Sequence, residues 1–162
     1  RRKWAQEKSA SSRAHSVLRN YFMPHKLYEI ITFPSSDTKN GVLFMFQEEK
    51  GSLPFTPKRV LITKGMSGSD KRGAHTHYET NQILVAISGG CSVDLEDGAR
   101  KETVVLDTPN KGLLLYPYVW HVMHSFQPDT TLMVIADRTY DEKDYIRSYE
   151  DFQRIVKERR IV

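Results

Sequence analysis

From Tyr28 onward the chain alternates short apolar runs with clusters of turn residues. YEIITF gives way to SSDTKNG, VLFMFQ to EEKGSLPFTP, and RVLIT to KGMSGSDKRG. The texture continues through HTHYETNQILVAIS, a Gly89-Gly90 break, CSVDLE, an Asp97-Gly98 hairpin signal, RKETVVLD, TPNKG, LLLYPYVWHVMHSF, QPD and TTLMVIAD. Runs of this length, bounded by Gly, Pro, Asn and Asp, predict about eight or more strands. No ten-residue amphipathic helix interrupts them, so the pattern predicts an all-β sandwich or barrel.

The two ends depart from this texture. Residues 1–25 carry Ser and charge, with only Trp4, Val17, Leu18 and Phe22 as scattered apolar positions, and read as an irregular or helical arm or linker. In the tail, DEKDYIRSYEDFQRIVKERRIV, the residues Tyr145, Tyr149, Phe152 and Val156 fall at spacings of four, three and four. That is one face of a helix, with Asp141 or Asp144 as the capping residue and the aromatic rings packed on the barrel. The division is therefore an arm at 1–25 and one domain at 26–162.

Bulk properties narrow the class. At 162 residues, 39% hydrophobic and 27% charged, the chain has the composition of one globular domain with a core of its own. The longest apolar run, GLLLYPYVW at 112–120, is broken by Pro117 and falls short of the roughly 18–20 residues that a membrane helix needs. A lone Cys91 and the lack of a secretory h-region give a reducing, cytoplasmic setting as the expectation. Net charge is +4, but the excess lies in RRK at 1–3 and KERR at 157–160, and no nucleic-acid-binding motif accompanies it. Neither a nucleic acid nor a membrane is expected as partner. The opening RRKW leaves room for a preceding domain.

Candidate chemistry centres on RGAHTH, residues 72–77. Only six histidines occur in the chain, and two of them stand one residue apart. On a strand His75 and His77 share a face, whereas Ala74 and Thr76 point the other way. In WHVMH, His121 and His124 are three apart, so only one of them can face the same cavity.

The spacing of Gly68, His75, His77, Gln82 and Gly89 resembles the first motif of the cupin superfamily, with one extra residue before the first His and Gln82 where a metal-binding Glu is usual. Gly112, Pro117 and His121 partly match the second motif. Cupins are small jelly-roll barrels, in keeping with the strand pattern. Gln is neutral and a poorer ligand for a divalent cation than a carboxylate. No metal is therefore expected, although three imidazoles could bind zinc or iron.

Longer stretches carry a narrower resemblance. RGAHTHYETNQILVAISGGCSVDLEDG, VVLDTPNKGLLLYPYVWHVMHSF and YDEKDYIRSYEDF resemble the sugar-nucleotide 3,4-ketoisomerases, which act on dTDP-4-oxo-6-deoxy-glucose. GVLFMFQEE and PFTPKRVL extend the match, so it spans about residues 26–155. Thr76 replaces a usual Ala, and Asn40 stands before Gly41 where an Arg is common, which leaves the stereochemistry of the product open.

The resemblance implies a cupin jelly roll that moves a ketone from C4 to C3 of the hexose with no cofactor. His75 would take the C3 proton; His77 would protonate C4 or carry protons between the two oxygens, and these roles could be exchanged. Histidine suits the task because both of its protonation states are accessible near neutral pH. By strand position and resemblance, Arg59 and Arg72 would hold the diphosphate, while Gln82 and His121 would line the sugar pocket and Trp120 would stack or fill a wall. The partners implied are a dTDP-linked 4-keto-6-deoxy sugar, a second copy in a strand-exchanging homodimer, and an acyltransferase, fused or separate. The setting implied is deoxyaminosugar synthesis for O-antigen or S-layer glycans. Competing readings are a metal-dependent cupin, a non-catalytic sugar-nucleotide binder and a 3,5-epimerase. The last ranks below the ketoisomerase, because no His-Asp dyad with a tyrosine is evident in the sequence.

Overall fold

The computed structural model describes residues 26–48 and 52–161. The arm expected at 1–25 lies outside the described residues. Two antiparallel five-stranded sheets face each other in the jelly-roll arrangement expected from the strand pattern. The first runs β1 (Tyr28–Thr32), β9 (Lys111–Leu115), β6 (Gln82–Ser88), β11 (Thr131–Ala136) and β4 (Arg59–Lys64). The second runs β12 (Tyr145–Ile146), β5 (Arg72–His77), β10 (Trp120–His124), β7 (Cys91–Glu96) and β8 (Lys101–Leu106).

The apolar side chains form three layers, and the alternation of each strand decides which layer a residue joins. On β6, Leu84 and Ala86 enter the space between the sheets with Val93 and Leu95 of β7 and Leu113 and Leu115 of β9. Ile83 and Val85 point the other way, against Phe33, Leu53, Leu114 and Ile135. Both faces of β6 are covered, which is why its sequence is an unbroken apolar run. The third layer lies outside the second sheet, where Trp120 and Ile146 meet Phe152 and Val156 of the helix α1 (Tyr149–Ile161).

Two local expectations change. SSDTKNG is more than a turn: Ser35–Thr38 form β2, which pairs with β3 (Gly41–Phe44) across Lys39-Asn40. The tail is not one helix from Tyr145. Asp141 caps a single 3-10 turn at Glu142–Asp144 by accepting from the Lys143 N–H, after which the chain extends through Tyr145 and Ile146. The helix then starts anew, with the Ser148 hydroxyl accepting the Asp151 N–H at 3.1 Å. Tyr145 therefore belongs to a strand at the edge of the sheet. Phe152 and Val156 keep their expected packing role and are buried. Among the described residues no helix is long and apolar enough to cross a membrane.

Candidate active site

β5 places His75 and His77 on the inner face of the second sheet, with ring centroids 5.1 Å apart and planes nearly perpendicular. On β10 the residue in register with His75 is His121. Its ring lies 4.6 Å from His75 and 6.4 Å from His77. On the other side, β12 pairs Tyr145 with His77, and the phenol ring lies 4.3 Å from His77 and 5.1 Å from His75. One face of three adjacent strands thus carries Tyr145, His77, His75 and His121. The intervening residues Ile146, Thr76 and Trp120 face the helix.

The Arg-Gly before the histidines has a structural cause. The register sets His75 opposite His121 and Gly73 opposite Val122, so Ala74 is the extra residue of a β-bulge. Gly73 has φ +83° and Ala74 φ 54°, both left-handed. A Cβ at position 73 would lie 2.7 Å from the His121 carbonyl oxygen, so only glycine fits. The bulge also restores Arg72, opposite Met123, to the face that carries the histidines.

Each imidazole is held through Nδ1. His75 Nδ1 lies 3.0 Å from the Gly73 carbonyl, His121 Nδ1 3.2 Å from the Val119 carbonyl, and His77 Nδ1 3.1 Å from Asp144 Oδ2. Asp144 is itself fixed, accepting the Thr80 hydroxyl on the same oxygen and the Glu79 N–H on Oδ1 at 2.8 Å. The Gln82 amide nitrogen meets His121 Nε2 at 3.0 Å, so both nitrogens of that ring are occupied. His77 Nε2 is buried and has no hydrogen-bond partner among the described residues.

Burial is the main force on the titration of all three rings. It lowers His75, with the Gly73 carbonyl opposing and the Arg147 and Arg59 charges adding. It brings His77 down to about 4, reinforced by His75 and opposed by Asp144. His121 is held well below the usual imidazole range by burial, with His75 adding to the effect. Near neutral pH the site therefore holds uncharged imidazoles, which are bases.

The structure brings together His75, His77, His121, Gln82 and Arg59. Arg59 opens β4 and donates from Nη1 to the Tyr145 hydroxyl oxygen at 3.3 Å. Arg72 lies on the same face as the histidines, at the exposed end of β5. Trp120 does not join them. It neighbours His121 on one strand and so must point to the opposite face, where its ring is buried 5.3 Å from Tyr149 and 5.4 Å from Phe152. The expectation that Trp120 lines the sugar pocket is corrected to a role in helix packing. His124, three residues from His121, lies outside the cluster and pairs with Asp94 at 3.1 Å.

Three residues escaped the sequence reading: Asp144, Tyr145 and Arg147. Arg147 stands over the Tyr145 ring at 4.2 Å and bonds Glu142 at 2.8 Å from Nε. All three sit in the stretch read as helix, and the signal that could have exposed them is Ser148, a second helix cap seven residues after Asp141. The dyad with a tyrosine that the sequence did not display is formed by His77 with Asp144, 67 residues further along the chain, and its neighbour Tyr145, by the fold rather than by local spacing. A surface cleft of about 1120 Å³ lies behind Asp144, lined by Lys58, Tyr78, Tyr118, Lys143 and Arg159 among others, and the histidine rings do not line it.

Comparison with known proteins decides the lineage. Residues 26–157 match the family model described as FdtA: WxcM-like, C-terminal. The chain belongs to the FdtA family. A TDP-4-oxo-6-deoxy-alpha-D-glucose-3,4-oxoisomerase of Aneurinibacillus thermoaerophilus is 39% identical over 128 residues, covering 79% of this chain and 91% of the relative. Among solved structures, the 3,4-ketoisomerase QdtA of Thermoanaerobacterium thermosaccharolyticum in complex with TDP superposes with a TM-score of 0.79 at 31% identity, covering 85% of this chain and 98% of that one. A 3,4-ketoisomerase from Helicobacter canadensis gives 0.78 at 33% identity, covering 82% and 99%. Like these FdtA-type relatives, the chain is an isomerase. The resemblance drawn from RGAHTH and the tail motifs holds. An rmlC epimerase of Mycobacterium tuberculosis, at 15% identity and TM-score 0.63 over 76% of this chain and 69% of that one, shares the fold alone.

Proposed function

We propose that this FdtA-family isomerase moves the ketone of a TDP-linked 4-oxo-6-deoxyhexose from C4 to C3 by proton transfer between imidazole bases and the sugar. The observation that carries the reading is the pair of uncharged imidazoles, His75 and His77, side by side on one face, with His77 Nε2 buried and unpartnered. A ring nitrogen left without a partner in a buried site is a place made for a ligand atom. His75, nearer the open edge, takes the C3 proton, and an enediol forms. His77, its ring fixed by Asp144, stands beside it as the second base.

Arg59 and Arg72 supply cations for the diphosphate, one from each sheet. The Gln82–His121 pair, with every ring nitrogen engaged, forms a neutral wall of the sugar pocket. The relatives bear on the substrate: a His-to-Asn variant of QdtA was crystallised in complex with TDP-4-keto-6-deoxyglucose. A 3-keto product suits amination at C3, as deoxyaminosugar synthesis requires. We infer a homodimer as the working unit, since the edge strand β4 exposes Val60, Leu61 and Ile62 in a row.

The test is incubation with dTDP-4-oxo-6-deoxyglucose in deuterated water, followed by proton NMR. Loss of the C3 proton signal and appearance of a 3-keto product are expected. Binding without formation of a 3-keto product would reduce the domain to a sugar-nucleotide binder and overturn the reading.

A further inference from the structure

Moving a ketone between adjacent carbons exchanges two protons, one on carbon and one on oxygen. The hydrogen bonds of this site account for the first and leave the second without an obvious carrier. A carbonyl or a carboxylate can only accept, so the neutral rings of His75, His77 and His121 each carry their hydrogen on Nδ1, bonded to Gly73 O, Asp144 Oδ2 and Val119 O. At Nε2 each ring then presents a lone pair. For His121 the Gln82 amide already fills it. The site thus contains two bases and no imidazole able to donate toward the sugar.

One phenol packs its ring against both bases. The Tyr145 ring packs on His77 and His75 at 4.3 Å and 5.1 Å. Arg59 donates to its oxygen at 3.3 Å, and that is the oxygen's one hydrogen bond among the described residues. An arginine has no lone pair, so the phenolic hydrogen is left to point elsewhere. The other hydroxyls nearby are committed or turned away: Thr80 donates to Asp144, and Thr76 lies on the helix face. Two cations, Arg59 at the oxygen and Arg147 over the ring at 4.2 Å, stand where negative charge would develop.

On the ketoisomerase reading, on which this inference rests, we propose that Tyr145 carries the oxygen proton while the histidines carry the carbon proton. The family resemblance left His77 either to protonate C4 or to carry protons between the oxygens; for the oxygens the geometry points to the phenol. In the first half, an imidazole Nε2 takes the C3 proton, the C3–H electron pair becomes the C3=C4 bond, and the C4=O π pair moves onto O4, which takes the hydrogen of Tyr145. In the second half, the phenolate takes the proton from O3, that O–H pair closes the C3=O bond, and the C3=C4 pair takes the proton from the imidazolium at C4. Tyrosine and histidine are both restored, and no other reactant is consumed.

Tyr145→Phe keeps the ring contacts and removes only the hydroxyl. We expect kcat for dTDP-4-oxo-6-deoxyglucose to fall by roughly 10² to 10⁴-fold, with KM within about threefold. The second probe is 3,5-difluorotyrosine at position 145, which makes the hydroxyl more acidic with little change in volume. It should shift the alkaline limb of the kcat profile to lower pH, against a background of His75, His77, Arg59, Arg147 and Tyr140 that stays the same. A Tyr145→Phe enzyme with wild-type kcat overturns the proposal. So does an unmoved alkaline limb in the fluorinated protein, which also decides the matter should the Phe variant fail to fold. Wild-type protein that forms no 3-keto product removes the ketoisomerase reading and this proposal together; an active wild type with either of the other failures removes only the role of Tyr145.

Discussion

Replacing Asp144 by Asn tests the arrangement of the site at its anchor. The substitution keeps shape and removes charge. In the native site the carboxylate accepts three hydrogen bonds: Glu79 N–H on one oxygen, and the Thr80 hydroxyl and His77 Nδ1 on the other. An amide has one oxygen. If it continues to serve Glu79, its NH₂ group faces Thr80 and His77. The threonine hydroxyl can rotate to accept, but His77 Nδ1 can accept only by giving up its hydrogen, and the ring then protonates at Nε2. The base is lost without any change in the fold. A charge-assisted hydrogen bond contributes about 1.5–3 kcal/mol net, and at 1.36 kcal/mol per decade that alone is roughly 10- to 100-fold in the population of the active tautomer. Full loss of a positioned base extends the range to roughly 10² to 10⁴-fold in kcat. Asp144 lies behind the ring, so KM should change by less than about threefold, on the uniform-binding argument. The same lost bond should lower Tm by roughly 3–12 °C for a domain of this size. Steady-state kinetics on the sugar nucleotide, a thermal melt and ¹⁵N shifts of the His77 ring together decide it. Retention of kcat within threefold, or a ring that keeps its hydrogen on Nδ1 in the variant, would refute the argument.

The remaining predictions concern pH, packing, backbone and metal dependence. His77 titrates at about 4 in the folded protein against an ordinary value near 6.5, so the unfolded chain binds more protons between these values. Its share of stability, about 3 kcal/mol at 1.36 kcal/mol per unit, is complete above pH 6.5 and is lost as pH falls toward 4; denaturant midpoints of wild type minus His77→Asn should show that slope, and a flat difference would contradict it. The acid limb of kcat/KM should lie below pH 6.5, because both bases are depressed by burial; a limb above 6.5 counts against them. Trp120→Ala should cost about 3–5 kcal/mol of stability with little effect on the KM of whatever folded protein remains, whereas a Trp in the sugar pocket would raise KM. Gly73→Ala should cost about 1–3 kcal/mol and reduce kcat, since its Cβ displaces the His121 carbonyl; unchanged melting would remove the case for the bulge. Prolonged chelation should leave the rate unchanged, and a stoichiometric ion needed for turnover would overturn proton transfer by side chains alone.

The strand pattern, the inward pair His75 and His77 and the single inward member of His121 and His124 were all legible, because each depends on the two-residue period of a strand. The same period, applied to Trp120 beside His121, would have sent the tryptophan outward; the error was to group the two by adjacency. Gly73 could be read as special, but the unpaired Ala74 could not, since a bulge depends on the register of the neighbouring strand. Tyr145 was misread because its spacing to Tyr149, Phe152 and Val156 fits a helix, whereas pairing with β5 holds it extended. Asp144 meets His77 across 67 residues, a distance over which local patterns carry no information.

The strand of two residues that carries Tyr145 follows every other barrel element in chain order. A ribosome therefore releases His75, His77 and His121 before Asp144 and Tyr145. A nascent or truncated chain ending near residue 139 could assemble both sheets' remaining strands and still be chemically silent. On the proposed mechanism, placing this rim last would keep a partly made chain from enolising a keto sugar that it cannot yet enclose.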